Sequence, residues 1–277
     1  MVNNLDHYAV IGNPVSHSKS PQIHTLFALQ TQQPLHYSKI LAPLESFTAM
    51  VAAFQAQKGK GCNVTVPFKQ EAWNLATEHS SHAKRAGAVN TLLFQNDGAV
   101  VGANTDGIGL VRDITLNQCQ SLKGKRILML GAGGAVRGVL QPLLEHQPAE
   151  IVIANRTVSK ALELAEAFAD LGRVSGGDFE SVHGVFDVII NGTSASLQGE
   201  LPPIPTTCID AHTFCYDMMY GAKPTVFMQW AVEQGASQVI DGLGMLVEQA
   251  AEAFYLWRGV RPETQTVLRQ LRAELMA

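Results

Sequence analysis

Residues 127–130 read Ile-Leu-Met-Leu, apolar at every position, and run straight into Gly131-Ala132-Gly133-Gly134. A strand with one solvated face alternates apolar and polar side chains, whereas an unbroken apolar run fits a strand covered on both faces. Such strands belong in parallel sheets flanked by helices, and the glycines mark a tight turn into the next helix. Strand-like and helix-like segments alternate along the whole chain, the pattern of an α/β protein. Strands are expected over 8–11, 37–41, 62–66, 88–94, 100–102, 127–130, 151–154, 187–190, 213–216 and 239–240. Helices are expected over 47–57, 108–116, 226–233, 245–257 and 263–276, with others following the glycine turn through residue 144 and around Leu162, Ala165 and Phe168. A further helix begins at Ser20-Pro21, with serine at the N-cap and proline at the first helical position. Asn96-Asp97-Gly98 between two apolar runs is a hairpin signal, so the first half of the chain is expected to hold a mixed sheet.

Bulk properties narrow the function. The 277 residues suffice for two domains, and 46% apolar with 16% charged residues describes an ordinary packed core. A net charge of −4 argues against nucleic-acid or anionic-membrane partners, so any anion site must be local. The four cysteines, Cys62, Cys119, Cys208 and Cys215, lack Cys-x-x-Cys spacing, and no metal site is expected. Cys62 and Cys215 lie in apolar runs and read as small buried hydrophobes. Residues 1–8 carry neither a signal-peptide core nor a presequence, and no run is long enough to span a membrane, so the expected location is the cytoplasm.

The glycine turn is a candidate pyrophosphate site, formed by Gly131, Ala132, Gly133, Gly134 and Ala135. Backbone N–H groups and the positive end of a helix dipole would meet the phosphates there. Val136 stands where the third glycine of the usual pattern would fall, and Gly134 is the candidate for the close helix approach instead. A ligand-free glycine turn is the alternative. The next strand would end in Asp or Glu in an NAD site; here it ends in Asn155-Arg156-Thr157, with Val158, Ser159 and Lys160 following. Two cations and no carboxylate suit the 2′-phosphate of NADP.

Asn63-Val64-Thr65-Val66-Pro67-Phe68-Lys69 reads as a strand that stops at proline, placing an amine at its carboxyl end. Asn104-Thr105-Asp106-Gly107 sets a carboxylate at a similar junction. Lys69 and Asp106 are either a structural ion pair or a catalytic one. In the second case protonated Lys69 supplies the charge that a carbonyl oxygen needs as hydride arrives, and Asp106 fixes the lysine and accepts a substrate hydroxyl. Ser18 and Ser20 flank Lys19 at a helix start, where they cap the helix or hold a substrate carboxylate. Thr65 and Asn90 lie in strand-like runs and need polar partners, from either a substrate or the backbone.

Several separated motifs together resemble the shikimate dehydrogenase family. They are Gly12-Asn13-Pro14-Val15-Ser16-His17-Ser18-Lys19-Ser20-Pro21, the stretch ending at Lys69, Ala86-Gly87-Ala88-Val89-Asn90-Thr91, and Gly102-Ala103-Asn104-Thr105-Asp106-Gly107. The glycine turn, Asn155-Arg156-Thr157 and Asp241-Gly242-Leu243-Gly244-Met245-Leu246-Val247-Glu248-Gln249-Ala250 complete the series. The resemblance implies NADPH-dependent reduction of 3-dehydroshikimate to shikimate, a small-molecule substrate, by a monomer or homodimer. It implies Lys69 and Asp106 as the catalytic pair, with Ser18, Ser20, Thr65, Asn90, Tyr220 and Gln249 also contacting substrate. Met218 and Gly242 would line the cofactor site with residues 131–135 and 155–160. The implied fold has a mixed-sheet α/β substrate domain, residues 1–106 plus 241–277, and a Rossmann-like parallel-sheet NADP domain, residues 107–240. Three positions depart from the family pattern: Lys160 replaces a second arginine, Val136 a small residue, and Ser81 an acidic one.

Two alternatives stand beside this reading. One is a quinate/shikimate dehydrogenase of broader specificity; the other is a non-catalytic NADP-binding regulatory module. Arg156 favours the NADP-specific enzyme over the first. Lys69, Asp106, Ser18 and Ser20 together disfavour the second, since sensing a ligand requires no proton donor.

Overall fold

The computed structural model describes residues 5–195 and 199–277. The reading of the N-terminus falls partly on residues 1–4, which lie outside the described residues. The chain divides into two compact units, residues 1–109 with 247–267 and residues 110–246 with 268–277.

The first unit holds a six-stranded mixed sheet of β1 (Asp6–Gly12), β2 (Leu35–Leu41), β3 (Gly59–Val64), β4 (Glu78–His79), β5 (Thr91–Phe94) and β6 (Val100–Ala103), in the order β2-β1-β3-β5-β6-β4. β1 runs parallel to β2 and β3, and β5 runs antiparallel to β3 and β6. The expected hairpin closes through Gln95 N–H to Ala99 O at 2.9 Å, with Gly98 at φ +91°. The sheet carries α1 (Ser20–Thr31), α2 (Phe47–Ala56), α3 (Lys69–Leu75) and α4 (Ser81–Ala86). Ala9, Ile11, Cys62 and Leu92 pack one face against Phe47, Val51 and Phe68. Phe47 and Phe68 stack at 5.0 Å, which fixes the turn just before Lys69.

The second unit contains β7 (Arg126–Leu130), β8 (Glu150–Ala154), β9 (Val174–Gly177), β10 (Val188–Asn191), β11 (Phe214–Asp217) and β12 (Gln238–Ile240), all parallel, in the order β12-β11-β10-β7-β8-β9. This is the doubly wound order, whose direction reverses between β7 and β10. Ile127 and Met129 enter one core and Leu128 and Leu130 the other, which is why the run had no polar position. α6 (Gly134–Glu145), α7 (Val158–Phe168) and α8 (Val226–Glu233) connect the strands. α9 (Leu243–Arg258) and α10 (Gln265–Met276) end the chain.

The structure corrects several expectations. α1 has Lys19 at its N-cap and Ser20 as its first residue. The Ser18 hydroxyl accepts from the Ser20 N–H at 3.3 Å, and no side chain caps the helix from the N-cap position. α7 buries Ala161, Leu164, Ala165 and Phe168 but leaves Leu162 52% exposed. The helix expected over 108–116 is α5 (Asp106–Arg112) followed by a π-helical turn, Asp113–Asn117. The buried Asp113 carboxylate there accepts from the Tyr216 hydroxyl at 2.6 Å and Asn117 Nδ2 at 2.9 Å. β4 and β9 were not foreseen, being respectively two residues long and glycine-rich. The compact units are bounded at residues 109/110, 246/247 and 267/268. Residues 241–246 and 268–277 belong to the second unit, where the Arg272 guanidinium forks onto the Asp241 carboxylate, with Nη1–Oδ2 at 2.7 Å.

One buried polar group in the first unit has a stability consequence. His24 on α1 is 1% exposed and stacks on Tyr37 at 4.3 Å, with neither ring nitrogen hydrogen-bonded. Burial pushes its pKa down from 6.5 to about 3, an effect that nearby Asn63 only partly offsets. Between those values the unfolded chain binds a proton that the folded chain does not. Stability is therefore full above pH 6.5 and falls as pH decreases toward 3. His24→Leu is expected to flatten this dependence. Urea midpoints at pH 7 and pH 4.5 should differ less in the variant than in the parent; equal differences would contradict the buried neutral imidazole.

Candidate active site

Lys69 is the first residue of α3, placed there by a turn in which Phe68 N–H donates to Thr65 O at 3.0 Å. The strand ends at Val64, two residues earlier than expected, so Thr65 and Val66 form part of this turn. Gly12 has no side chain because the Thr65 methyl occupies the space a Cβ would need. The start of a helix is a poor place for a cation. Asp106 supplies the counter-charge, with Oδ2 2.5 Å from Lys69 Nζ. Asp106 in turn opens α5, where a helix dipole favours a carboxylate. The lysine side chain is 31% exposed and the aspartate 14%, so the pair is sheltered but reachable from solvent.

Asn90 holds the second carboxylate oxygen, with Nδ2 2.8 Å from Asp106 Oδ1. It lies just before β5 and is 3% exposed. Its Oδ1 accepts from the Thr105 N–H and the Thr91 hydroxyl, each at 2.9 Å. A backbone N–H can only donate, so the amide oxygen must face Thr105 and the NH2 must face Asp106. Gln249 on α9 joins the cluster through Oε1, which lies 3.4 Å from Thr105 Oγ1 and 3.5 Å from Asn90 Nδ2. Trp257 anchors that part of α9 by donating from Nε1 to Leu92 O at 3.1 Å, over a glycine, Gly61, that leaves room for its ring. Ser18 and Ser20 form a separate pair, their hydroxyls 3.2 Å apart at the start of α1. The structure thus joins Lys69, Asp106, Asn90 and Gln249 directly, and Ser18 with Ser20.

In the second unit, Gly131 ends β7 at φ +100°, a left-handed conformation that glycine adopts without strain. Gly133 caps α6 and Gly134 opens it, and a Cβ at either would meet nothing within 4 Å. The helix start is therefore an open cradle of N–H groups, as a bound phosphate requires. Gly134 does not make the close approach expected of it. Val136 is fully buried on α6, and the glycine facing it is Gly192, where a Cβ would lie 2.5 Å from Val136 Cγ2 and 3.2 Å from Met218 Sδ. Gly192, just beyond β10, leaves the space that Val136 fills. Asn155, Arg156 and Thr157 follow β8, with Asn155 Nδ2 donating to Thr157 O at 2.9 Å. Arg156, Val158, Ser159 and Lys160 are exposed, so two cations stand at the end of the strand next to the glycine turn. These features fit a dinucleotide with a phosphorylated ribose.

Met218, Tyr220 and Gly242 occupy the neighbouring loops of this unit. Met218 N–H donates to Asn191 O at 2.9 Å and Gly242 N–H to Met219 O at 2.9 Å. Gly242 packs so closely on the Met218 carbonyl that a Cβ would overlap it. Tyr220 is half-buried, and burial raises its pKa above the ordinary tyrosine value, with the Asp241 charge adding to the effect. The residues not anticipated are Asn191, Gly192, Thr193 and Asp217. Thr193 accompanies Gly131, its methyl 3.1 Å from where a Cβ would project. The buried Asp217 carboxylate accepts from Met219 N–H at 3.0 Å and Thr225 Oγ1 at 2.5 Å, and so shapes the turn that carries Tyr220. An Asn-Gly step closing an apolar strand, and an aspartate closing the next, were the available signals. Among the described residues, no cluster of His, Cys, Asp or Glu could hold a metal ion, and no helix is long and apolar enough to cross a membrane.

A doubly wound parallel unit with an open glycine turn at its switch point, and a mixed-sheet unit with a lysine–aspartate pair, define a two-part α/β dinucleotide-fold protein. Comparison with known proteins narrows the class. Residues 10–92 match the family model for the shikimate dehydrogenase substrate binding domain, residues 113–198 that for shikimate / quinate 5-dehydrogenase, and residues 242–272 that for the shikimate 5′-dehydrogenase C-terminal domain. The chain is 59% identical to shikimate dehydrogenase (NADP(+)) of Cellvibrio japonicus, over 98% of both chains. It is 60% identical to the Hahella chejuensis protein of the same name, over 97% of this chain and 99% of that one. Among solved structures it resembles an Ael1 enzyme from Pseudomonas putida, with 47% identity and TM-score 0.91, covering 96% of this chain and 98% of that chain. It also resembles shikimate 5-dehydrogenase from Thermus thermophilus in complex with NADP(H) and shikimate, with 31% identity and TM-score 0.85, covering 98% and 100%. The chain belongs to the shikimate dehydrogenase family.

Proposed function

We propose that the protein catalyses the NADPH-dependent, reversible reduction of 3-dehydroshikimate to shikimate, with Lys69 and Asp106 as its proton-transfer pair. The observation that carries the catalytic assignment is the 2.5 Å contact between Lys69 Nζ and Asp106 Oδ2, at the starts of two helices and braced by Asn90. The identity of more than half over nearly the full length of relatives named shikimate dehydrogenase (NADP(+)) supports the substrate and cofactor. The bound cofactor supplies the hydride that reaches the carbonyl carbon. As charge develops on the carbonyl oxygen, Lys69 gives it a proton, so that ketone becomes alcohol and ammonium becomes amine. Asp106 holds Lys69 in place and accepts a hydrogen bond from a substrate hydroxyl. In the oxidative direction Lys69 takes the proton back.

Ser18 and Ser20 hold the substrate carboxylate through their hydroxyls, with the N-terminus of the twelve-residue α1 adding its dipole. Thr65, Asn90, Gln249 and Tyr220 contact the polar edge of the ring. Residues 131–135 receive the pyrophosphate, and Arg156 with Lys160 receives the 2′-phosphate. Met218 and Gly242 border the nicotinamide end. Residues 1–106 with 241–277 act as the substrate domain and residues 107–240 as the cofactor domain. The enzyme works in the cytoplasm, as a monomer or homodimer.

Steady-state assays with shikimate and quinate, each against NADP and NAD, test the reaction. Shikimate with NADP should give the highest kcat/KM; equal turnover of quinate would assign the broader shikimate/quinate activity, and no turnover in any combination would leave a binding module. Lys69→Ala is expected to lower kcat by about 100- to 10,000-fold with little change in shikimate KM. Parental kcat in that variant would remove Lys69 from proton transfer. The binding assignments separate kinetically. Ser18→Ala should raise shikimate KM by about tenfold, the scale of one hydrogen bond to a charged group. Arg156→Ala should raise the KM for NADPH by at least about tenfold and leave NADH nearly untouched. Equal losses with both nucleotides would contradict the 2′-phosphate contact.

A further inference from the structure

The amide of Asn90 does not end the polar network beneath Asp106. Thr91 Oγ1 donates to Asn90 Oδ1 at 2.9 Å and accepts from Asn63 Nδ2 at 3.0 Å. Asn63 Oδ1 accepts from the Tyr37 hydroxyl at 2.7 Å. The chain therefore runs from Tyr37 on β2 through Asn63 on β3, Thr91 on β5 and Asn90 to Asp106. All four donors point toward the carboxylate. Tyr37 is 5% exposed, Asn63 7%, Thr91 0% and Asn90 3%, so water does not compete for these bonds. Burial raises the Tyr37 pKa well above its ordinary value, with Cys62 adding to the effect and Ser20 opposing it. The phenol keeps its proton and remains a donor. His24 stacks on its ring within 4° of parallel and holds it in line.

We propose that Tyr37 and Thr91 are positioning residues for the Lys69–Asp106 pair, acting through Asn63 and the amide of Asn90. Neither side chain needs to touch substrate or cofactor. Thr91 supplies the second donor that, with the Thr105 N–H, fixes the amide oxygen of Asn90 away from Asp106. Without it the amide is held by one fewer bond, and the NH2 that braces Asp106 Oδ1 gains freedom to rotate. Tyr37 does the same for Asn63 one step further back. The inference depends on Lys69 and Asp106 being the proton-transfer pair.

The test is steady-state oxidation of shikimate by NADP with the full-length enzyme, alongside thermal unfolding. Thr91→Val, which keeps the shape and removes the hydroxyl, should lower kcat about tenfold, while Thr91→Ser should stay within about twofold of the parent. Tyr37→Phe should lose about threefold, and the KM for NADP should not move in any of them. The deciding measurement is a double-mutant cycle with Asp106→Asn. If Thr91 acts through Asp106, the tenfold loss should shrink below about twofold in the Asp106→Asn background. A loss of equal size in both backgrounds, or parental kcat in Thr91→Val, would overturn the proposal. If Thr91→Val fails to fold, Tyr37→Phe carries the same cycle: its roughly threefold loss should vanish in the Asp106→Asn background, and a loss of equal size in both backgrounds would overturn the proposal. Parental turnover in Asp106→Asn itself would refute the proton-transfer assignment and the proposal with it. A crippled Asp106→Asn with a parental Thr91→Val would refute the proposal alone.

Discussion

The site of the first unit depends on which way one buried amide faces. Asn90 meets the Thr105 N–H, the Thr91 hydroxyl and the Asp106 carboxylate with donors and acceptors that allow a single orientation. Its backbone is equally committed: its N–H donates to Ala103 O at 3.0 Å and its carbonyl accepts from Val64 N–H at 2.8 Å. One residue thus ties β3 to the end of β6, and the same residue aims an NH2 at the carboxylate. Leaving any of these groups unpaired in the interior would cost about 1–3 kcal/mol. The precision at Asp106 and the stability of the sheet ends are in this respect the same interaction.

The second unit reaches its precision by closeness of backbone. Gly131 turns left-handed at the end of β7, Gly192 admits Val136 and Met218, and Gly242 lies against the Met218 carbonyl. A dinucleotide fold commonly places its third glycine on the helix; here a valine fills that position and the facing strand end gives up its side chain. In this chain Gly192 leaves the space that the Val136 side chain fills.

Much of this was legible before any coordinates, and what was missed follows a rule. The apolar run 127–130 and the turn at Asn96-Asp97-Gly98 dictate their structure locally, so that strand and the hairpin appear where expected, whereas the strands expected over 62–66 and 88–94 are Gly59–Val64 and Thr91–Phe94. The lysine and aspartate of the site were readable because both sit at strand-to-helix junctions. β4 and β9 were not, because their few residues become strands only through their neighbours. Ser20 was expected to cap α1, yet Lys19 holds the N-cap and Ser20 is the first helical residue, a choice made by one residue of backbone path rather than by composition. Leu162 was expected inward because spacing alone cannot tell which of Ala161 and Leu162 faces the sheet. The donor chain behind Asn90 was invisible for a stronger reason. It joins Tyr37, Asn63 and Thr91 across three strands, and only the register Asn63 to Thr91 brings two of them together.

The distribution of cations carries the same lesson for the cofactor assignment. Most arginines with a structural task are spent on carboxylates: Arg126 on Glu150 at 2.6 Å, Arg258 on Asp6 and Arg261 on Glu252 at 2.5 Å each, and Arg272 on Asp241. Such pairs neutralise themselves and leave little field for a ligand. Arg156 stands apart from this group, exposed at the end of β8 and, among the described residues, without a carboxylate partner. In a chain of net charge −4 an uncommitted guanidinium beside an open helix N-terminus is a local reversal of sign. Two positive features in one place repel each other mildly unless an anion lies between them. A phosphate on the ribose next to a pyrophosphate on the helix supplies that anion at both points, and a ribose bearing only hydroxyls supplies it at one.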